Sequence, residues 1–274
     1  FRHLSKYSHY LENAGKWMGQ LSKYQKWVFI LPLIAVFIWS LNIAVTRYVA
    51  DYISPASISF YRWFVAFIIL TPFMLPKVWQ QRALIRPLIG RLAVLSAFGM
   101  VLYQGLSYTA AHYTTATNMG IVNAFVPIFT IFISYLILKD KPNRFAIVGS
   151  LLSFAGLIYV MSQGQLSSLF AQGGHWGDAV MVIAVGFYAF YGVFLKKWQV
   201  QLPLMTSLYV QIGFALLYHV PFLLYLGLDA IDAENAMSVL YAGMFPSLIA
   251  PLLWMVAVQA IGPNRTSIFM NLMP

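Results

Sequence analysis

The chain has 274 residues, 61% of them hydrophobic and 9% charged, with a mean hydropathy of +0.74. A soluble domain carries roughly 25% charged residues, so a large water-soluble helical protein is excluded and hydrocarbon becomes the expected solvent. The net charge of +10 does not mark a nucleic-acid groove, since no basic stripe interleaves with exposed aromatics, and the absence of cysteine removes disulfide and thiol chemistry.

Residues 1–26, FRHLSKYSHYLENAGKWMGQLSKYQK, differ from the rest. Leu4, Leu11, Trp17, Met18 and Leu21 recur at loosely helical spacing among basic residues, a pattern that fits either an interfacial helix on the cytoplasmic face or a poorly ordered tail. The segment is too polar for a secretory signal, and the apolar run after it lacks a small-residue cleavage pattern, so that run is expected to stay as a span.

From there the hydropathy pattern predicts helices at about 27–49, 55–75, 91–111, 115–138, 143–162, 177–195, 204–226 and 236–260, with a ninth starting near Pro263. Basic residues alternate by side. They gather before the first span, at Lys77, Arg82, Arg86 and Arg91, at Lys139, Lys141 and Arg144, at Lys196 and Lys197, and at Arg265. The intervening connections hold Arg47 and otherwise acids or no charge. Under the positive-inside rule the amino terminus is cytoplasmic, and the basic connections meet anionic lipid headgroups.

The two halves resemble each other weakly. A shift of about 149 residues sets Tyr188 on Trp39, Lys196 on Arg47 and Gln211 on Arg62, and one of about 147 sets Pro274 on Pro127. The expected organisation is a cytoplasmic segment at 1–26, a first five-helix unit at 27–162 and a second at 163–274 that stops before its last helix. An odd number of spans per unit inverts the second against the first, which is a transporter signal because two such halves can exchange conformations around one midplane site. The alternative is a membrane binding or assembly protein that moves nothing.

Polar residues inside the spans are the candidate site. Arg62 sits in ISFYRWFVAFIILTP, where a charge near the hydrocarbon centre costs about 2.5–3.5 kcal/mol and so faces an interior, a cavity or a partner. It either meets a substrate carboxylate or ties carbonyls and hydroxyls together. Trp39, Asn42 and Thr46 share a face, a flat apolar wall beside an amide that suits an uncharged or zwitterionic solute as well as helix packing. Gln104, Ser107 and Tyr108 make a face of the third span, Asn118 and Asn123 belong to the fourth, and Tyr188, Gln211 and Trp254 are the second-half candidates. Pro246 and Pro251 in one span remove two backbone donors and invite a kink. Gly149, Ser153 and Gly156 form a smooth stripe for a close neighbour, either a tenth helix or a second subunit in a homodimer.

Enzyme chemistry has no support. There is no phosphate loop, no paired carboxylate deep in a span, and the five histidines lack metal-site spacing. No catalytic residue, metal or cofactor is expected.

WSLNIAVTRYVADYISPASISFYRWFVAFIILTPF, YTAAHYTTATNMGIVNAFVPIFTIFISYLILKDKPNRFAIVGSLLSFAGLIYV and AIGPNRTSIFMNLMP resemble the EamA-type family of the drug/metabolite transporter superfamily. The resemblance implies an all-α polytopic membrane protein of ten helices in two inverted five-helix units, in a bacterial inner membrane, exporting small metabolites. Trp39, Asn42, Arg62, the 118–127 stretch and its counterpart 264–274 are the matching positions. Asp140 stands where a glutamate is common, and the absent tenth helix makes the sequence read as part of a longer protein. Amino acids or related metabolites are the expected cargo, because aromatic and amide side chains favour a small organic molecule and no buried acid attracts a cation.

Single cysteines introduced for Arg82 and Ser168 test the topology. Intact cells should label position 168 with an impermeant maleimide and leave position 82 unlabelled until they are permeabilised; the opposite pattern would reverse the orientation.

Overall fold

A computed structural model describes residues 28–161 and 176–273 of the chain. The expectation for residues 1–26, and that for the connection at 163–176 except Trp176, lie outside the described residues. The described residues are all helix and connection, and seven helices are long and apolar enough to cross a membrane. They are α1 (Ile30–Val49), α2 (Pro55–Gln80), α3 (Arg82–Ala111), α4 (Ala116–Leu138), α6 (Trp176–Trp198), α7 (Leu204–Leu226) and α8 (Ala236–Ile261). A further apolar helix, α5 (Arg144–Met161), follows α4, and α9 (Pro263–Ser267) opens a final helical segment. The chain is an all-α, multi-pass membrane protein.

Local chemistry sets the ends. Ser54 caps α2 by accepting from the Ser57 amide, with Pro55 in the first turn, and Thr115 caps α4 by accepting from the Asn118 amide. Gly227 and Gly262 close α7 and α8 at φ +81° and +84°, a region that a Cβ disfavours. Asp229, just past α7, clasps the start of α2: its carboxylate accepts from the Ser54 amide at 2.6 Å, and its own amide donates to Ser57 Oγ at 2.9 Å. Hydrogen bonding from Ser54 outweighs desolvation and holds that carboxyl below its ordinary range.

Three helices depart from the regular spans that hydropathy predicts. The fourth is not continuous: α4 breaks at Ala124 and Phe125, between Ala116–Asn123 and Val126–Leu138. Pro127 is the cause, because it offers no amide to the Asn123 carbonyl and its ring crowds that turn. The third begins nine residues earlier than expected, at Arg82, and carries a π-helical turn at Ala97–Leu102. The eighth carries a second such turn at Phe245–Ile249, where Pro246 and Pro251 were expected to bend the helix.

Helices from the two halves interleave in one bundle. α7 lies along α2, α6 along α3 and α4, and α8 against α1 and α2. Side chains facing outward are apolar, with Phe37, Leu41, Ile68, Phe73, Leu152 and Leu224 exposed. In water that belt would be unstable; against acyl chains it is the ordinary lipid-facing surface. Gly149 and Gly156 on α5 face open space.

Close packing between the halves depends on glycine at two places. A Cβ at Gly99 would sit 2.6 Å from the Tyr191 ring, and one at Gly243 would sit 2.6 Å from Val65. Gly99→Ala should therefore destabilise the bundle by about 1–3 kcal/mol. Thermal unfolding in detergent should show the loss, and Tyr191→Ala in the same chain should restore part of it; an additive double mutant would disprove the contact.

Candidate functional site

Arg62 is fully buried on α2, in contact with α3 and α8. Its Nε donates to Ser247 Oγ at 2.7 Å, and one terminal nitrogen donates to Gln104 Oε1 at 2.6 Å and to the Tyr108 hydroxyl at 3.2 Å. Ser247 can accept because its own proton goes to the Ala242 carbonyl. The guanidinium carbon lies 5.0 Å from the Trp63 ring centroid and 5.8 Å from that of Tyr108. Neutral acceptors and aromatic faces thus disperse the charge, while the second terminal nitrogen has no partner. No carboxylate pairs with Arg62 among the described residues.

The π-helical turns beside this network free backbone carbonyls, and two tryptophans take them. Trp63 Nε1 donates to the Met100 carbonyl at 3.0 Å, inside the turn of α3. Trp39 Nε1 donates to the Pro246 carbonyl at 3.2 Å, inside the turn of α8. In π register the Pro246 carbonyl looks five residues on, to Pro251, which has no amide to give. The indole fills that vacancy and fixes the plane of Trp39.

Trp39, so held, forms one wall of an aromatic cluster. Its ring centroid lies 6.0 Å from Tyr188 and 5.2 Å from Trp254, both edge-on, and Tyr103 lies 4.7 Å from Tyr188. Two small adjoining cavities open against the cluster, each with room for little more than one water (≈ 20 Å³), and both are lined by Trp39, Gln104 and Tyr188. Asn42, Thr46, Tyr103 and Ser107 line the first, with Met119, Met270 and Met273 at its α4 and α9 side. Trp63, Tyr191, Pro251 and Trp254 line the second. Neither lining contains an acidic or basic residue.

Of the candidate residues, Trp39, Asn42, Gln104, Tyr188 and Trp254 meet at these cavities, and Arg62 stands one hydrogen bond behind them through Gln104. Asn42 donates to Thr46 Oγ1 at 3.3 Å and leaves its buried Oδ1 without a partner. The others lie elsewhere. Asn118 donates to Asp178, in the first turn of α6, which also accepts from Thr114. Asn123 accepts from the Tyr103 hydroxyl at 3.1 Å and donates to the Met119 carbonyl, so it positions Tyr103 from behind. Gln211 is fully buried on α7, donating to Ser207, while its backbone carbonyl accepts from Ser96 of α3.

Tyr103 and Ser247 escaped sequence reasoning. Tyr103 immediately precedes Gln104 of the predicted face, whereas Ser247 lies inside the π-helical turn between the two prolines. The flanking prolines were the available signal.

A multi-pass helical bundle with an aromatic, uncharged cavity lined by amide and hydroxyl groups is suited to a small organic molecule. The sequence profile of the EamA-like transporter family matches residues 26–162 and again 175–274, and the chain belongs to that family, within the drug/metabolite transporter superfamily. An uncharacterized transporter of Archaeoglobus fulgidus is 24% identical over 251 residues, covering 89% of this chain and 84% of the relative. The uncharacterized transporter YyaM of Bacillus subtilis is 23% identical over 232 residues, covering 83% and 76%. A solved crystal structure 14% identical in sequence shares the fold, with a TM-score of 0.63 over 89% of this chain and 86% of the other.

Trp39→Phe keeps an aromatic ring at the cavity and deletes the bond to the Pro246 carbonyl together with part of the indole. It should cost at least about 0.5–1.5 kcal/mol of stability, the net worth of one neutral hydrogen bond. Trp39→Ala should cost several times more, and an equal loss in the two variants, read by thermal unfolding, would show that the indole N–H contributes nothing.

Proposed function

We propose that the chain is a secondary transporter that exports a small organic metabolite, an amino acid or related compound, across a bacterial inner membrane by alternating access. The observation that carries this reading is the cavity lined from both halves, by Trp39 of α1 and by Tyr188 of α6, whose rings meet edge-on beside it. Those two residues are counterparts in the weak internal repeat.

Two further features support an inverted pair of five-helix units. The family profile matches each half separately, and the π-helical turns fall at Ala97–Leu102 and Phe245–Ile249, nearly the same offset apart as the repeat. Matching irregularities in the third helix of each half are what two oppositely oriented copies would keep, since their exchange of conformations needs the same hinge on both sides. Trp39, Asn42, Gln104, Tyr188 and Trp254 form the substrate site of this reading, and Arg62 shapes it. Asn118, Asn123 and Gln211 support the surrounding helices. The open face at Gly149 and Gly156 accommodates a close neighbour, either a tenth helix or a second copy in a homodimer.

Counterflow into proteoliposomes made with purified protein, measured per folded molecule, is the test. The wild-type chain should exchange at least one amino acid from a broad metabolite panel. Asn42→Ala should lower that exchange about tenfold, the loss expected for one hydrogen bond to a charged group, with little change in folded yield. Arg62→Lys keeps the charge but not the planar fork that reaches Ser247 and Gln104 together, so it should lower folded yield as well as exchange. Full exchange by Asn42→Ala and by Arg62→Lys would reject this site.

A further inference from the structure

We propose that Gln104 sets the selectivity of the cavity by presenting a fixed N–H donor to a carboxylate on the substrate, with Arg62 as the positioning residue that fixes it; the inference rests on the transporter reading above. An arginine side chain has donors only. The Gln104 atom 2.6 Å from the Arg62 nitrogen is therefore the carbonyl oxygen on chemical grounds, whichever way an amide is drawn. With Oε1 committed to Arg62, the opposite end of the carboxamide is Nε2, and Gln104 lines both cavities. Nε2 has no hydrogen-bond partner among the described residues.

Two other polar groups, on residues that line the second cavity, lack partners. Trp254 Nε1 and the Tyr188 hydroxyl are buried and unpaired, and both residues line the second cavity beside Gln104. Unpaired buried donors are costly unless something accepts from them. The group that satisfies an amide N–H, an indole N–H and a hydroxyl together is an anionic oxygen pair, and the nearest formal charge, on Arg62, has the matching sign. A substrate ammonium placed at this corner would meet the Arg62 field with no acid in either lining to offset it. The aromatic faces of Trp39 and Tyr188 are then left for the apolar part of the molecule.

The experiment pairs amino acids with their amides, which differ only at the carboxylate. Purified wild-type chain is mixed with leucine, phenylalanine or threonine, or with the amide of each, and tryptophan fluorescence follows binding. Gln104→Glu retains the shape of the side chain and gives Arg62 an ionic partner, so the fold should hold, while the cavity-facing donor is replaced by an acceptor. At least one amino acid should bind wild type more tightly than its amide, and Gln104→Glu should lower that ratio about tenfold or more, one hydrogen bond to a charged group. Arg62→Lys, which can still donate to Gln104 Oε1, should keep the sign of the preference. No pair favouring the carboxylate, a preference that survives Gln104→Glu, or one reversed by Arg62→Lys alone would each overturn the inference. Counterflow on the same panel separates the two claims: carboxylate-selective binding without counterflow defeats transport and leaves the role of Gln104 standing.

Discussion

A guanidinium with no exposed surface, in a bundle surrounded by lipid, has to be satisfied by whatever the neighbouring helices can bring to it. Arg62 draws on α3 for Gln104 and Tyr108, on α8 for Ser247, and on its own helix for the Trp63 face. Because none of these partners is charged, the cost of burial is spread over several hydrogen bonds and two aromatic faces rather than met by a single ion pair. Each bond ties α2 to a different place, so the charge acts as a three-helix clamp. An isosteric apolar residue could fill the volume without fixing the register of α2 against α3 and α8.

The clamp works only because α3 and α8 are irregular where they pass it. A π-helical turn rotates side chains out of their α-helical phase and loosens backbone carbonyls, and here that shift accompanies Ser247 facing Arg62 and two carbonyls left for indole donors. Trp39 and Trp63 thereby become structural and cavity-lining at once. The same N–H that satisfies the Pro246 carbonyl holds the ring that faces Tyr188 and Trp254. Cavity shape and helix irregularity are coupled, which links the energetics of the fold to the geometry of the site.

Polarity is arranged in depth around that cavity. Its lining is aromatic, amide, hydroxyl and thioether, with the formal charge one layer behind on Arg62. Acidic groups of the described residues lie toward the helix ends and connections, where Asp178 gathers Thr114 and Asn118, and Asp229 clasps the start of α2.

Composition and hydropathy alone determined that the chain is a helical membrane protein, and they located the helices to within a few residues at most ends, because burying a backbone in hydrocarbon leaves few alternatives to long apolar helices. The face shared by Trp39 and Asn42, and the need for Arg62 to find polar company, were legible for the same reason: helical phase and desolvation are local properties. Tertiary structure alone decided which polar residues meet. Asn118 carries the same amide as Asn42, yet one reaches Asp178 across to α6 and the other lines the cavity. Gln211 aligns with Arg62 in the repeat and is equally buried, yet it bonds within its own helix. Tyr103 and Ser247 entered the site through the π-helical turns and the break at Pro127, whose effect on side-chain direction depends on the neighbouring helices that accept or refuse each freed backbone group.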